Sequence, residues 1–393
     1  MSAINLQTQH NFFSPNKILF GNGTARSIGQ ETRQLVGKKV LIVTDPGVVK
    51  AGLLEQIKES LNSAGISFVL FDRVEPEPPS KVVDEGAALG KMEKCDLVVG
   101  IGGGSSLDAA KGVSVMLTNE GSILSVCGPD RIPKKGVGFI LIPTTSGTGS
   151  EATRALVVTD YTDPKMTRKN TALSSYLLPD LAIVDPLLTV TVPPRITAGT
   201  GIDALAHAME AYVSVNATPF SDILAEKAIG WIGEYLPIAW AKGSNLEARY
   251  FMALSSTLAG MAFASGGLGA IHALAHTLGA EYHLAHGPSI CAILLPVMKY
   301  NLSGNPKKYG RIAALMGKNT AGLSDLKAAE TAVEAVRELL ESMKISCRLG
   351  DYGVPKTDIP KLVQGTMRES RFFALNPRDI KEEDLHSIYE AAF

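Results

Sequence analysis

The sequence predicts an α/β domain followed by an all-α domain, and three observations carry that reading. In the first half, apolar runs of strand length alternate with segments whose apolar residues recur at helical spacing. Around residues 185–194, three prolines and intervening threonines interrupt this rhythm. Beyond them the apolar residues recur at three and four positions. The boundary is expected near Val192, giving an α/β domain over 1–191 and a helical domain over 192–393.

In chain order, residues 12–20 (FFSPNKILF) fit a short strand or arm before the Gly21-Asn22-Gly23 turn. KKVLIVTD (38–45), ISFVLFDRV (66–74), CDLVVGIGGG (95–104) and VGFILIPTT (137–145) read as buried strands. Strands apolar on both faces belong to a parallel sheet covered on both sides. Segments 52–64, 82–92 and 105–119 supply covering helices. Residues 155–184 mix short β-like pieces with a charged loop around 163–170. Helices are expected over 201–214, 222–240, 247–264, 268–279, 289–302, 326–343 and 382–392.

A chain of 393 residues is long enough for two cores. Its 45% hydrophobic and 20% charged residues exclude a disordered or fibrous chain. A formal net charge of −1 gives no electrostatic pull toward nucleic acid or an anionic membrane, so small molecules are the expected partners. Cys95, Cys127, Cys291 and Cys347 lack both a disulfide framework and paired metal-ligand spacing, which suits reduced thiols in a cytoplasmic protein. The N-terminus lacks a signal peptide's basic start and apolar run, and no stretch offers about twenty consecutive apolar residues, so no membrane span is expected.

Three loops at expected strand ends carry a nucleotide signal. Gly102, Gly103 and Gly104, followed by Ser105 and a helix, would let a pyrophosphate approach backbone amides at a helix N-terminus. The bland alternative is a tight turn with Ser105 and Asp108 as a capping box, and the pattern is not G-x-G-x-x-G. Asp45 ends the first clear strand, where a carboxylate can accept from an adenosine ribose and repel a 2′-phosphate, pointing to NAD over NADP. Alone, it is better read as the opening of an Asp-Pro-Gly turn. Thr144, Thr145 and Thr148 sit in the third loop, TTSGTGSE, and ligands of open α/β sheets bind at such carboxyl ends.

The second half carries a metal signal. Asp203 and His207 are four residues apart in GIDALAHAMEAY, so both project from one helix face. GGLGAIHALAHTLGAEYHLAHG holds His272, His276, His283 and His286, with Gly279 expected to end the helix carrying the first two. Any single histidine is more often an ordinary polar side chain than a ligand. A carboxylate with several imidazoles and no thiol suits Fe²⁺, Zn²⁺, Mn²⁺ or Ni²⁺. Spacing leaves open which of His276, His283 and His286 completes the site.

Together, GIDALAHAMEAY, GGLGAIHALAHTLGA with His286-Gly287, GGGSSLDAAK and PTTSGTGSE resemble the iron-containing (group III) alcohol dehydrogenases, over nearly the whole chain. The resemblance implies a dehydroquinate synthase-like fold, a dinucleotide-binding α/β domain, a helical domain and an active site between them. It implies Asp203, His207, His272 and His286 as metal ligands and His276 as a proton-relay residue close to the metal. It implies a cofactor site at Asp45, Gly102, Gly103, Gly104, Ser105, Thr144, Thr145 and Thr148, with Lys169, or Lys165 in competition, as the cofactor-side lysine. The activity implied is hydride transfer between NAD and a small primary alcohol, diol or aldehyde, in a homodimer or higher homo-oligomer. A zinc polyol dehydrogenase of the glycerol type would use three protein ligands, and a dehydroquinate synthase-type lyase would demand several basic residues for a sugar phosphate. His283 and the Arg371-Phe372-Phe373 segment depart from the family pattern; the two phenylalanines either narrow a substrate channel or pack in the helical core.

Overall fold

The computed structural model describes residues 8–162 and 167–393. Nine strands are present among them: β1 (Ile18–Phe20), β2 (Lys39–Val43), β3 (Ser67–Phe71), β4 (Leu97–Gly102), β5 (Gly128–Pro129), β6 (Gly138–Pro143), β7 (Ala155–Asp160), β8 (Arg168–Leu173) and β9 (Leu181–Val184). Six form a sheet in the order β1-β9-β6-β4-β2-β3, with every pairing parallel. Alternate residues serve opposite faces. Leu41, Val43, Val98 and Leu141 join one core with Leu107 and Val113 of the Gly104–Thr118 helix. Val40, Ile42, Val99 and Ile140 join the other with Ile57 and Leu61 of the Glu55–Ser63 helix. The sheet is thus covered on both sides, as the continuous apolar runs require.

In the parallel register Gly102 lies opposite Pro143 and Val43 opposite Gly100, so the loops after β2, β4 and β6 stand side by side at one edge. Close packing fixes β4 against its helix: a Cβ on Gly100 would lie 2.5 Å from the Ala110 Cβ.

The mixed segment 155–184 resolves into two structures. Strands β7 and β8 form an antiparallel hairpin that joins β5 in a three-stranded sheet, while β9 enters the main sheet between β1 and β6. The N-terminal strand is shorter than expected, since only Ile18–Phe20 reaches β9. Ser105 and Asp108 form no capping box. Gly103 is the N-cap, Ser105 Oγ accepts from Glu77 N–H, and Asp108 accepts from the Ser150 hydroxyl and Val157 N–H.

After β9 the described elements are helical. The Pro194–Val213 helix starts seven positions before the expected 201, with proline suited to its first turn. Gly279 does not end its helix, which runs over Ala270–Tyr282 and closes at His283 in a left-handed conformation, φ 51°. The next helix, His286–Asn301, begins on His286 itself. The Pro306–Leu315 and Ile359–Met367 helices were not expected from periodicity. No single described helix is long and apolar enough to cross a membrane.

Candidate functional site

Three helices bring four side chains together: Asp203, His207 and His272 offer ligand atoms within 4.8 Å of one another, and the half-buried His286 joins them at Asp203. Around Asp203 Oδ1 stand His286 Nε2 at 3.3 Å, His272 Nε2 at 3.5 Å and His207 Nε2 at 3.7 Å. None of these approaches is a hydrogen bond: Asp203 Oδ1 and His272 Nε2 are buried and unpartnered among the described residues. Leaving such groups unpaired in the interior is costly, and a cation shared between them removes the cost. One carboxylate oxygen and three imidazole nitrogens, without sulfur, fit a divalent first-row metal.

The electrostatics agree with that geometry. Burial alone would raise the Asp203 pKa, yet the His207, His286 and His272 rings close beside it hold it well below the usual carboxylate range. Burial lowers His207 to about 3, with His272 and His286 adding to the push and only Asp203 opposing it strongly. For His272 burial also disfavours the charged ring, but Glu210 and Asp203 outweigh it and raise the pKa to about 9.

Glu210 is a site residue the motif reading missed. Its Oε2 lies 2.6 Å from His272 Nδ1 and its Oε1 accepts from Ile271 N–H at 2.6 Å. A carboxylate on the far nitrogen fixes the imidazole tautomer and aims Nε2 at the cluster. The signal was present in GIDALAHAMEAY: Glu210 is seven residues after Asp203 and three after His207, on the same helix face.

His276, one turn beyond His272, stands outside the four-residue cluster, its ring centroid 6.0 Å from that of His286. The Phe372 ring packs edge-on against it at 5.3 Å, and its Nδ1 lies 3.7 Å from Glu369 Oε2. Burial lowers its pKa to about 3, against the pull of Glu369. Glu369, distant in sequence, offered no local signal. His283 is exposed and serves as the helix cap.

A cavity of about 500 Å³ runs from the cluster to the strand ends. His207, His272, His276, His286 and Phe372 line one end; Gly104, Ser105 and Thr148 line the other. Phe372 and Phe373 both pack against the helical core, and of the two Phe372 also lines the cavity. At Gly102, φ is +148°, and a Cβ there would lie 2.6 Å from the Ser106 side chain and 2.9 Å from Asp45 Oδ2. A Cβ on Gly104 would strike Thr148 at 2.6 Å, whereas one on Gly103 would meet nothing closer than Thr145 at 3.6 Å. The chain therefore leaves the Gly103 backbone open at a helix N-terminus, where anions are favoured.

Asp45 is partly engaged within the protein. It caps the short Pro46–Lys50 helix by accepting from Val48 N–H at 3.0 Å, and it accepts from the Ser106 hydroxyl at 2.8 Å. Each carboxylate oxygen can accept twice, so the turn-opening and ribose-binding readings are compatible. Thr144 is buried and donates its N–H to the Gly102 carbonyl, tying the first and third loops together. Lys169 lines the cavity and pairs with Glu77 at 3.0 Å; Lys165 lies outside the described residues.

Comparison with known proteins agrees over both halves. Residues 15–186 match the iron-containing alcohol dehydrogenase model, and residues 197–393 match the C-terminal model of the Fe-containing alcohol dehydrogenase family. The chain belongs to the iron-containing alcohol dehydrogenase family. Among its relatives is long-chain-alcohol dehydrogenase 1 of Geobacillus thermodenitrificans, 42% identical over 376 residues, covering 95% of this chain and 94% of the relative. A solved 1,3-propanediol oxidoreductase superposes with a TM-score of 0.95 at 40% identity, covering 98% of this chain and all of the other. Sulfoacetaldehyde reductase from Bifidobacterium kashiwanohense, solved in complex with NAD⁺, superposes with a TM-score of 0.88 at 29% identity, covering 98% of each chain. Family membership alone thus leaves the substrate open, because these relatives are named for dissimilar ones.

Proposed function

We propose that the protein transfers hydride reversibly between NAD and a small primary alcohol, diol or aldehyde, with a divalent metal held by Asp203, His207, His272 and His286. The observation that carries this reading is the convergence of three imidazole nitrogens on the unpartnered Asp203 Oδ1. Fe²⁺ is the metal assigned, with Zn²⁺, Mn²⁺ or Ni²⁺ compatible with the same donors. Such an ion, when bound, polarises the alcohol or carbonyl oxygen, while NAD accepts or supplies the hydride.

The chain's own residues do the rest. Glu210 holds His272 in one tautomer, and the Gly102–Gly104 turn with Ser105, Thr144, Thr145 and Thr148 receives the cofactor phosphates at a helix N-terminus. Asp45 accepts from the adenosine ribose, and Lys169 serves the nicotinamide side. His276, kept neutral by burial and set between the cluster and Glu369, accepts the alcohol proton and passes it outward. Phe263, Leu268 and Phe372 give the substrate end an apolar wall that limits water there. Cytoplasmic location and assembly as a homodimer or larger homo-oligomer belong to the same reading.

A zinc polyol dehydrogenase with three protein ligands is disfavoured because His286, the fourth, makes the shortest approach to Asp203. A sugar-phosphate lyase is disfavoured because, of the three cationic side chains that line the cavity, Lys169 and Arg371 face the carboxylates of Glu77 and Glu369 and Arg154 lies over the Phe13 ring. The test is anaerobic reconstitution with Fe²⁺ and assay of NADH oxidation across a panel of short aldehydes. Turnover is expected; protein that binds metal and NADH yet turns over no aldehyde contradicts the assignment.

A further inference from the structure

Glu77 holds a backbone conformation that a non-glycine residue adopts only at a cost: its φ is +52°. Such strain persists where the surroundings over-determine it, and here they do so at both ends of the residue. Its N–H donates to Ser105 Oγ at 3.1 Å, directly beside the glycine turn. Its carbonyl accepts from the Thr159 hydroxyl at 3.0 Å, and the Pro78 carbonyl accepts from Thr159 N–H at 2.9 Å. Thr159 and Lys169 face each other across the β7–β8 hairpin. The same cross-strand pair therefore grips Glu77 twice, Thr159 at the main chain and Lys169 at the carboxylate, 3.0 Å away.

The helical half closes this arrangement. A Cβ on Gly279 would lie 3.0 Å from Lys169 Nζ, 3.4 Å from Lys169 Cε and 3.5 Å from Glu77 Oε1. Gly279 does not end its helix, so its lack of a side chain serves another need: it lets the ion pair lie flat on the helix, one turn beyond His276. The Lys169 side chain is only 8% exposed, and Glu77 is its carboxylate partner. An ammonium that buried requires such a partner, and its place is set by where the partner is held.

We propose that Glu77 is a positioning residue that acts through Lys169: anchored to the glycine turn and braced on Gly279, it fixes the lysine ammonium in the cleft where the nicotinamide half of the cofactor lies. The inference rests on the functional reading above, in which Lys169 serves the cofactor. A carboxylate near a pyrophosphate site would on its own repel the ligand, so the two roles open to Glu77, placing the lysine or only opposing the phosphates, differ in sign.

The experiment measures the NADH dissociation constant by fluorescence, KM and kcat with an aldehyde that the wild type reduces, and metal content, for Glu77→Gly, Lys169→Met, the double variant and Gly279→Ala. Glycine accepts the backbone conformation of Glu77, and alanine favours a helix more than glycine does, so neither change removes the fold's own support. Glu77→Gly is expected to weaken NADH binding roughly tenfold or more, with KM for NADH rising more than kcat falls and metal content unchanged. Gly279→Ala should weaken NADH binding in the same direction, and the double variant should be no worse than Lys169→Met alone. NADH binding by Glu77→Gly that equals or exceeds that of the wild type, or single effects that multiply in the double variant, overturns the inference. If the wild type itself neither binds NADH nor reduces any aldehyde, the functional reading fails as well.

Discussion

The metal-side cluster and the nucleotide-side loops lie at opposite ends of one cavity and are built in opposite ways. The cluster is made of side chains on helix turns: Asp203 and His207 from one helix, His272 from a second and His286 from the first turn of a third. The loops are made of backbone, with Gly102, Gly103 and Gly104 contributing by lacking side chains and Thr144 by tying one loop to the next. A metal needs a few donors at fixed positions, which rigid buried helices supply. A dinucleotide needs a long surface of amides and hydroxyls, which strand ends supply. Damage at the two ends should therefore differ in kind: severe and local at the cluster, graded and distributed along the loops.

The largest effect is expected from His272→Ala, which should abolish metal retention and lower kcat/KM by about 10³-fold or more, read by metal analysis and steady-state kinetics. Next is Glu210→Gln, which leaves the four proposed ligands intact but loosens the orientation of His272. Metal affinity should fall by about 10- to 100-fold, measured by competition with a chelator. A wild-type affinity in that variant would dissolve the contrast between rigid cluster and adaptable loops.

A smaller, pH-dependent effect follows from His272. In the metal-free protein its pKa is raised to about 9, so it carries a proton at neutral pH that must leave when a metal binds, whereas His207, lowered to about 3, carries none. Apparent metal affinity should then strengthen as pH rises toward 9, by at most about tenfold per unit, and level off above it. Titrations at several pH values check the slope, and a flat profile would remove this proton from the account. On the nucleotide side, Asp45→Gly should relax discrimination against NADP, while the lost cap on Pro46–Lys50 costs only about 0.3 kcal/mol of stability, because glycine is itself a tolerable N-cap. Cofactor kinetics and thermal denaturation report the two effects separately. The smallest effect is expected at His283→Ala, an exposed residue that caps the Ala270–Tyr282 helix, with metal content unchanged.

This contrast also governs how much of the molecule was legible in its sequence. The parallel sheet was visible because β2, β4 and β6 are apolar on both faces over five or six residues. Strands β1 and β9, three and four residues long, are too short for a periodic signal and depend on pairing with each other. Asp203 with His207 was readable because their spacing matches one helix face. The claim of His286 could not be judged by spacing, because it stands beyond a turn whose geometry depends on the left-handed His283. Glu210 was readable in principle, but a glutamate in a helix reads as a solvated group until burial and the short contact to His272 show otherwise. Glu77 and Glu369 meet their partners only through long-range folding, Glu77 against Lys169 and Glu369 against His276, so no local pattern marks them.

The central claim is that one divalent metal is held by one carboxylate and three imidazoles. X-ray absorption spectroscopy of the Fe²⁺-reconstituted protein, with metal analysis on the same sample, tests it directly. The expected result is one iron per chain in a first shell of nitrogen and oxygen only, lost in His272→Ala and retained in His283→Ala. Sulfur in the first shell, or full iron retention by His272→Ala, would contradict it.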